Sequence, residues 1–372
     1  MLNPDAITLQ ALKQAAECLF LTSPNPHVGC VITSPTGDVL GQGHTQRTGG
    51  PHAEIVALRD AEARGNSVVG ATAYVTLEPC SHRGRTGPCC DALIEAGIKK
   101  VVASIADPNP LVSGQGFERL RAAGIEVVIG PGAAESRELN IGFFSRMIRK
   151  TPWVRLKMAA SLDGKTALNN GASQWITSSA ARTDGHAWRA RACAVLTGIG
   201  TVLADNPRLD VRLVDTPRQP HLVVVDSRLE MPLDAHLFIA GRALYIYAAV
   251  QNDAKKSALE ARGATVIYRP GMEPGTEGKV DLAAMLRDLA AREINELHVE
   301  AGHKLNGSLI REELVDEFVV YLAPKLIGQG CDMASFGPLS ELSNAIPLEF
   351  KSTDMLGPDL RIVARIPGRD QF

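Results

Sequence analysis

No run of apolar residues in this chain approaches the roughly 20 needed to cross a bilayer, and the opening MLNPDAITLQ lacks the basic-then-apolar layout of a secretion signal. A membrane partner is therefore not expected, and a cytoplasmic location is. Excess charge of one sign is also missing: 39 Lys and Arg stand against 41 Asp and Glu, a net of −2. Without a basic surface to release counterions, nucleic acid is not an expected partner either. There is no internal repeat, no low-complexity tract and no complete G-x-G-x-x-G. In the second half only partial forms such as Gly198-Ile199-Gly200 and Gly328-Gln329-Gly330 occur, which disfavours a standard dinucleotide-binding fold there. The seven cysteines are odd in number and dispersed over 372 residues, unlike a disulfide framework. In a reducing compartment, close cysteines point to metal or chemistry.

What is present is ample apolar material, 45% of a chain too long for one ordinary core, so two or three domains are expected. Residues 5–21 repeat apolar positions at helical spacing, and VGCVITSP and GDVLGQG read as strands meeting at a Pro-Thr-Gly turn. Helical and β-branched segments then alternate: helices at 52–64, 90–98, 114–124 and 133–150, strands at 71–79, 99–107 and 125–130. Such alternation predicts an α/β fold with a mostly parallel sheet covered on both faces. Thr151-Pro152 stops the last helix, so the domains are placed at 1–148 and 149–372. A second alternation follows, with strands in WVRLKMA, CAVLTG, HLVVVDS, ALYIYAA, ATVIYRP, ELHVEAG and DEFVVYLAPKLI and helices at 178–191, 281–292 and 303–314.

Chemistry concentrates in PHAEIVALR and PCSHRGRTGPCC. Zinc deaminases carry H-x-E followed by P-C-x-x-C. Here His52 and Glu54 stand two apart, Pro79 precedes Cys80, and eight residues rather than two separate Cys80 from Cys89. A zinc ion on His52, Cys80 and Cys89 leaves one tetrahedral position for water, the layout of a catalytic site. Glu54 is then placed to carry protons without ligating the metal. The longer spacing adds a loop with Ser81, His82, Arg83, Arg85 and Thr86, whose arginines suit an anionic group and so a phosphorylated substrate. Cys90 reads as a packed spare thiol.

The segments NPHVGCVI, GQGH, HAE, VTLEPCSHRGRTGPC and DPNP resemble the deaminase half of the bifunctional riboflavin-biosynthesis deaminase/reductase family. The similarity runs on through LKMAASLDGKTA, SQWITS, TGIGTVLADNPRL and VEAGHKLNGSLI, covering nearly the whole chain. The resemblance implies a cytidine-deaminase-like three-layer domain followed by a dihydrofolate-reductase-like α/β domain. It implies hydrolytic deamination of 2,5-diamino-6-ribosylamino-4(3H)-pyrimidinone 5′-phosphate, then NADPH-dependent reduction of the ribosyl group to ribityl, with one Zn2+ in the deaminase domain. Assembly as a homo-oligomer, dimer or tetramer, is expected.

By the same carry-over Ala159, Trp175, Thr201, Asp205, Ser227 and the turn Gly302, His303, Lys304, Leu305, Asn306, Gly307 and Ser308 match cofactor positions. Asn25, His82, Arg85, Ser173, Arg189, Arg208, Arg212 and Glu300 match substrate positions, with Arg189 and Arg212 suited to the ribose phosphate. On its own residues, EAGHKLNGSLI is either a plain strand-to-helix turn or a seat for a pyrophosphate at the positive end of a helix. Trp175 either walls the cofactor or packs in a core. Lys157 or Asp163 is placed to assist opening of the sugar ring, and Ser227 with Arg228 to receive a 2′-phosphate. Three residues depart from the family pattern. Gly87 replaces a proline, Asn206 an acid, and Asp210 a hydroxyl, the last setting a carboxylate beside the expected phosphate contacts.

Competing readings are a nucleic-acid deaminase, which would want a basic face; a zinc-stabilised scaffold without activity; and a deaminase whose second half only oligomerises.

Overall fold

The computed structural model describes residues 4–81, 87–110, 112–272 and 275–372. The chain divides into two compact units, Met1–Arg149 and Lys150–Phe372.

The first unit runs α1 (Pro4–Glu17), β1 (Gly29–Thr33), β2 (Val39–His44), α2 (Ala53–Ala63), β3 (Thr72–Val75), α3 (Cys89–Glu95), β4 (Lys100–Ala103), α4 (Gln115–Ala122), β5 (Glu126–Ile129), α5 (Ala133–Leu139) and α6 (Ile141–Arg149). Its sheet is ordered β2-β1-β3-β4-β5. β1 is antiparallel to both its neighbours, while β3, β4 and β5 are parallel, so the sheet is mixed where the alternation predicts a mostly parallel one. The antiparallel part comes from the short hairpin of β1 and β2, which needs no crossover helix.

Two glycines show how the layers close. A Cβ on Gly29 would fall 2.0 Å from the Ala11 carbonyl oxygen of α1, and one on Gly41 would fall 2.3 Å from that of Ala57 in α2. Gly29 pairs with His44 and Gly41 with Ile32, positions of opposite parity along β1, so α1 and α2 cover opposite faces of the sheet. The side-chain bond from Gln10 to Gln42 (2.8 Å) marks the α1 face. The single helix expected over 133–150 is divided at Asn140, which caps α5 and turns its amide away to bond the backbone of residue 27.

The second unit runs β6 (Trp153–Ser161), β7 (Lys165–Leu168), α7 (Ser179–Arg191), β8 (Ala194–Gly198), α8 (Ile199–Asp205), β9 (His221–Val225), β10 (Leu244–Ala248), α9 (Asp253–Ala261), β11 (Ala264–Tyr268), α10 (Leu282–Ala291), β12 (Glu296–Val299), α11 (His303–Arg311), β13 (Glu317–Ala323), β14 (Gly330–Asp332), β15 (Glu349–Leu356) and β16 (Asp359–Arg365). Nine strands form one sheet in the order β11-β10-β9-β8-β12-β6-β13-β16-β15, parallel up to β13 and antiparallel beyond it. β7 and β14 make a separate two-stranded ribbon.

Leu156, Leu196, Val223 and Leu297 pack with Met285, Leu289 and Leu309 of α10 and α11 on one face of the large sheet. Val195, Leu222, Val224 and Ile246 pack with Leu259 of α9 on the other. Beneath α7 that second face becomes polar. Arg155, 1% exposed, bonds Glu317 and Glu296 (2.8 Å) and stacks 4.4 Å from the Trp188 ring. Arg191 and Arg365 complete the charge balance on Glu296 (2.9 Å) and Glu317 (2.6 Å). No helix among the described residues is long and apolar enough to cross a membrane.

Candidate active sites

In the first unit a tight loop delivers His52. Gly50 N–H bonds the Arg47 carbonyl (2.7 Å), Gln46 N–H bonds that of Pro51 (3.0 Å), and His52 then takes the cap position of α2 with Glu54 in the first turn. Chain leaving β3 brings in Cys80, and Cys89 opens α3. The three ligating atoms lie within 4.8 Å of one another. His52 Nδ1 is 3.6 Å from Cys80 Sγ and 3.4 Å from Cys89 Sγ, and Cys89 N–H donates to Cys80 Sγ at 3.3 Å.

The electrostatics of the sulfurs suit a cation. A hydrogen bond from the Cys89 thiol draws Cys80 down to about 4 against the cost of burial, with His52 helping. Cys89, which keeps the proton, is pushed up by the same bond and by burial. Glu54 is 3% exposed. Burial raises its carboxyl to about 7, the Cys80 thiolate adds to the rise, and His52 opposes it. One imidazole and two cysteine sulfurs, one of them drawn toward the thiolate, fit zinc.

A residue not singled out in the sequence holds this arrangement. Glu78, buried, accepts N–H bonds from Asp107 (3.1 Å), Gly114 (3.0 Å) and Gly116 (2.9 Å), pinning the DPNP loop and the start of α4 against Pro79 and Cys80. Its signal was present in LEPC, where an acid at the end of an otherwise apolar strand stands two residues before Cys80. Cys90 is the packed thiol expected: it is buried and donates to the carbonyls of Pro79 (3.2 Å) and Gly116 (3.5 Å). Asn25 lies in the loop between α1 and β1, half-buried, its N–H on the Thr22 carbonyl (2.9 Å). Thr48 ties that loop to the approach to His52 by donating to Thr22 O at 3.1 Å. His82 and Arg85 lie outside the described residues.

In the second unit a cleft of about 800 Å³ opens at the carboxyl ends of β6, β8, β9 and β12, the end at which open parallel sheets bind ligands. Its volume falls within the range of about 300–1,000 Å³ usual for small-molecule sites. Of the expected cofactor residues, Ala159, Thr201, Asp205, Ser227, Gly302, His303, Lys304, Leu305 and Asn306 line it. Asn306 is buried. Its amide nitrogen donates to Met333 O (2.9 Å), while Oδ1 has no partner among the described residues.

Three expected residues stand apart from that lining. Gly307 faces the backbone of Ser335, Ser308 bonds Lys304 O one turn back (3.2 Å), and Trp175 is 60% exposed with Arg182 stacked 4.4 Å from its ring. Trp175 therefore does not pack in a core. Met158, Ile199, Glu230 and Met333 also line the cleft, residues without a distinguishing mark in the sequence.

Among the expected substrate residues, Ser173 and Glu300 line the cleft together with Lys157. Lys157 Nζ is 3.8 Å from Glu300 Oε2, and Arg189 grips Glu300 by both carboxylate oxygens, one at 2.9 Å. Burial alone would raise Glu300, but the charge and hydrogen bonds of Arg189, with Lys157, hold it well below the usual carboxylate range. Burial pushes Lys157 down, and Glu300 offsets part of that. Arg189 is thus already occupied by a carboxylate, whereas Arg208 and Arg212 reach outward from Asp210. Asp163, the alternative to Lys157, is committed to the N–H groups of Ile327 (3.1 Å) and Gly328 (2.7 Å). Asn206 likewise has a structural partner, accepting from His236 N–H at 2.8 Å.

Residues 3–105 match the family model for the cytidine and deoxycytidylate deaminase zinc-binding region, and residues 152–362, over half the chain, match that of the RibD C-terminal domain. The chain belongs to the RibD family. The riboflavin biosynthesis protein RibD of Escherichia coli (strain K12) is 43% identical over 356 residues, 94% of this chain and 96% of that one. That of Aquifex aeolicus (strain VF5) is 41% identical over 352 residues, 95% of each. A solved RibD of Acinetobacter baumannii superposes with a TM-score of 0.86 at 37% identity, covering 97% of this chain and 98% of its own. A diaminohydroxyphosphoribosylaminopyrimidine deaminase/5-amino-6-(5-phosphoribosylamino)uracil reductase of Thermotoga maritima does so at 0.84 and 32%, with the same coverage. The cytidine-deaminase-like unit followed by a dihydrofolate-reductase-like unit is the fold of the RibD family.

Proposed function

We propose that this chain carries out two consecutive steps of riboflavin biosynthesis: deamination of 2,5-diamino-6-ribosylamino-4(3H)-pyrimidinone 5′-phosphate in the first unit, then reduction of the ribosyl group in the second. The observation that carries the reading is the convergence of His52, Cys80 and Cys89 within 4.8 Å, with the buried Glu54 in the same turn of α2 as the imidazole. Family membership brings zinc and a nicotinamide cofactor; the choice of NADPH rests on the resemblance and on Ser227 and Arg228 at the end of β9.

Zinc held by the imidazole and two sulfurs supplies Lewis acidity toward water. Glu54 accepts water's first proton at a carboxylate oxygen and delivers it to the pyrimidine ring nitrogen, then carries the second proton, from the hydroxyl added to the ring carbon, to the amine as the C–N bond breaks. Its burial keeps bulk water from competing for that proton. In the second unit the nicotinamide supplies a hydride when bound. The first turn of α11 presents free N–H groups to the pyrophosphate. Lys157, lining the cleft against Glu300, is placed to donate to the sugar oxygen, while Arg208 and Arg212 anchor the phosphate and so fix the reacting carbon.

The test is to supply the diaminopyrimidinone phosphate with and without NADPH and follow ammonia and nicotinamide absorbance separately. Ammonia release without NADPH, and oxidation only after it, is expected. Ammonia without any oxidation overturns the assignment of the second unit. Assembly as a homo-oligomer belongs to the same reading, and light scattering of the full chain checks it.

A further inference from the structure

The loop after α8 carries its own anion. Arg208 Nε lies 3.1 Å from Asp210 Oδ2, and Arg212 Nη1 lies 2.6 Å from Asp210 Oδ1, so each carboxylate oxygen is taken by a different guanidinium. The two arginine side chains are 63% and 52% exposed, but that of Asp210 only 14%. The carboxylate therefore sits beneath two guanidinium groups that solvent can reach.

The backbone cannot easily carry Asp210 away. Arg242 donates to the carbonyls of Arg208 (2.6 Å) and Leu209 (3.1 Å), and Arg189 donates to that of Asp210 itself (3.0 Å). On the far side, Gln219 exchanges two bonds with Val211 (2.7 and 2.9 Å), and Arg212 N–H donates to His186 Nδ1 (3.1 Å). Leu209, buried with φ of 47°, is held in a left-handed conformation that a leucine does not adopt freely. The same Arg189 grips Glu300, which lines the cleft, so the cluster stands one side chain from the reacting region.

We propose that Asp210 is a specificity-determining residue of the reductase site: a built-in counter-ion that occupies Arg208 and Arg212 and shares them at a cost when the substrate's phosphate arrives. The inference rests on the reading that these two arginines bind that phosphate. Two cations and one fixed anion leave the loop at +1. Replacing the carboxylate by an amide of the same shape makes it +2, without removing either guanidinium. For a dianion about 6 Å away at an exposed, salt-screened site, that change is worth about five- to tenfold in affinity.

The experiment compares the full chain with Asp210→Asn, and with Asp210→Ser in case the first variant folds poorly. Inorganic phosphate is titrated calorimetrically, and KM and kcat are measured for NADPH-dependent reduction of the deaminated substrate. Phosphate binding tighter by about five- to tenfold, a KM lowered by a similar factor and an unchanged kcat are expected, since the gain is uniform binding. Adding Arg212→Gln should reverse the gain. Equal or weaker phosphate binding in the variant overturns the proposal and makes Asp210 a support that orients the arginines. If the unaltered chain consumes no NADPH, the reductase reading falls by itself, and the phosphate titration still decides the part played by Asp210.

Discussion

Glu78→Gln is the most informative single change outside the metal ligands, because it alters the frame of the centre and none of its chemistry. Oε2 of Glu78 accepts from both Asp107 N–H (3.1 Å) and Gly114 N–H (3.0 Å), and Oε1 from Gly116 N–H (2.9 Å). An amide has one acceptor oxygen. Its best orientation keeps the first pair and turns an NH2 group toward the N–H of Gly116, so one charge-assisted bond is lost and a buried donor is orphaned. At about 1.5–3 kcal/mol for such a bond, with weakening of the two that remain, the cost is about 3 kcal/mol. Glu78→Ala orphans all three donors and should cost about 5 kcal/mol by the same reasoning. Because the freed segment runs against Pro79 and Cys80, zinc affinity should also fall by about 10- to 100-fold, as for other supports of ligand geometry. The assay is urea unfolding of the full chain, with zinc retention measured against a graded chelator. A Gln variant within about 0.5 kcal/mol of the parent and equal to it in zinc retention would refute the argument.

Arg155→Met leaves Glu296 and Glu317 buried with one fewer cation and should destabilise the second unit by about 3–5 kcal/mol while deamination persists, as urea unfolding and ammonia release would show. His186 is held down to about 4 by burial, with Arg189 and Arg212 adding to the effect. A base whose folded pKa is depressed gives full stability above the unfolded value near 6.5 and loses it as pH falls toward 4. The loss is up to about 3 kcal/mol, and His186→Gln should flatten that part of the stability–pH curve. Chelation of the metal should abolish deamination and leave thermal stabilisation of the second unit by NADPH intact, since only the nucleotide-binding unit gains stability by mass action.

The convergence of His52, Cys80 and Cys89 was legible because the motif places its members locally: His52 and Glu54 share one helix turn, and Cys80 and Cys89 flank one loop. The strands of the large sheet in the second unit were legible as far as β13, where apolar runs bounded by turns mark a buried parallel sheet, whereas the short, half-exposed β7 of the separate ribbon was not. The hairpin of β15 and β16 was not, since EFKSTDML is largely exposed and bears polar residues on both faces at the sheet's edge. The short α8 and α9 were hidden for a similar reason: few of their residues are buried, so no apolar period marks them. The break at Asn140 could not be read locally, because its amide is spent on the backbone of a residue 113 positions away. Glu78 and Asp210 share that difficulty. Each does its work through partners that only the folded chain brings together.

The central claim is one zinc ion on His52, Cys80 and Cys89 with Glu54 as the proton carrier, and the most direct measurement is metal content and ammonia release in the same preparations of the full chain and of Glu54→Gln. The account predicts one equivalent of zinc in both, with deamination in the parent and its loss in the variant. Zinc absent from the parent, or a variant that deaminates at the parental rate, would contradict it.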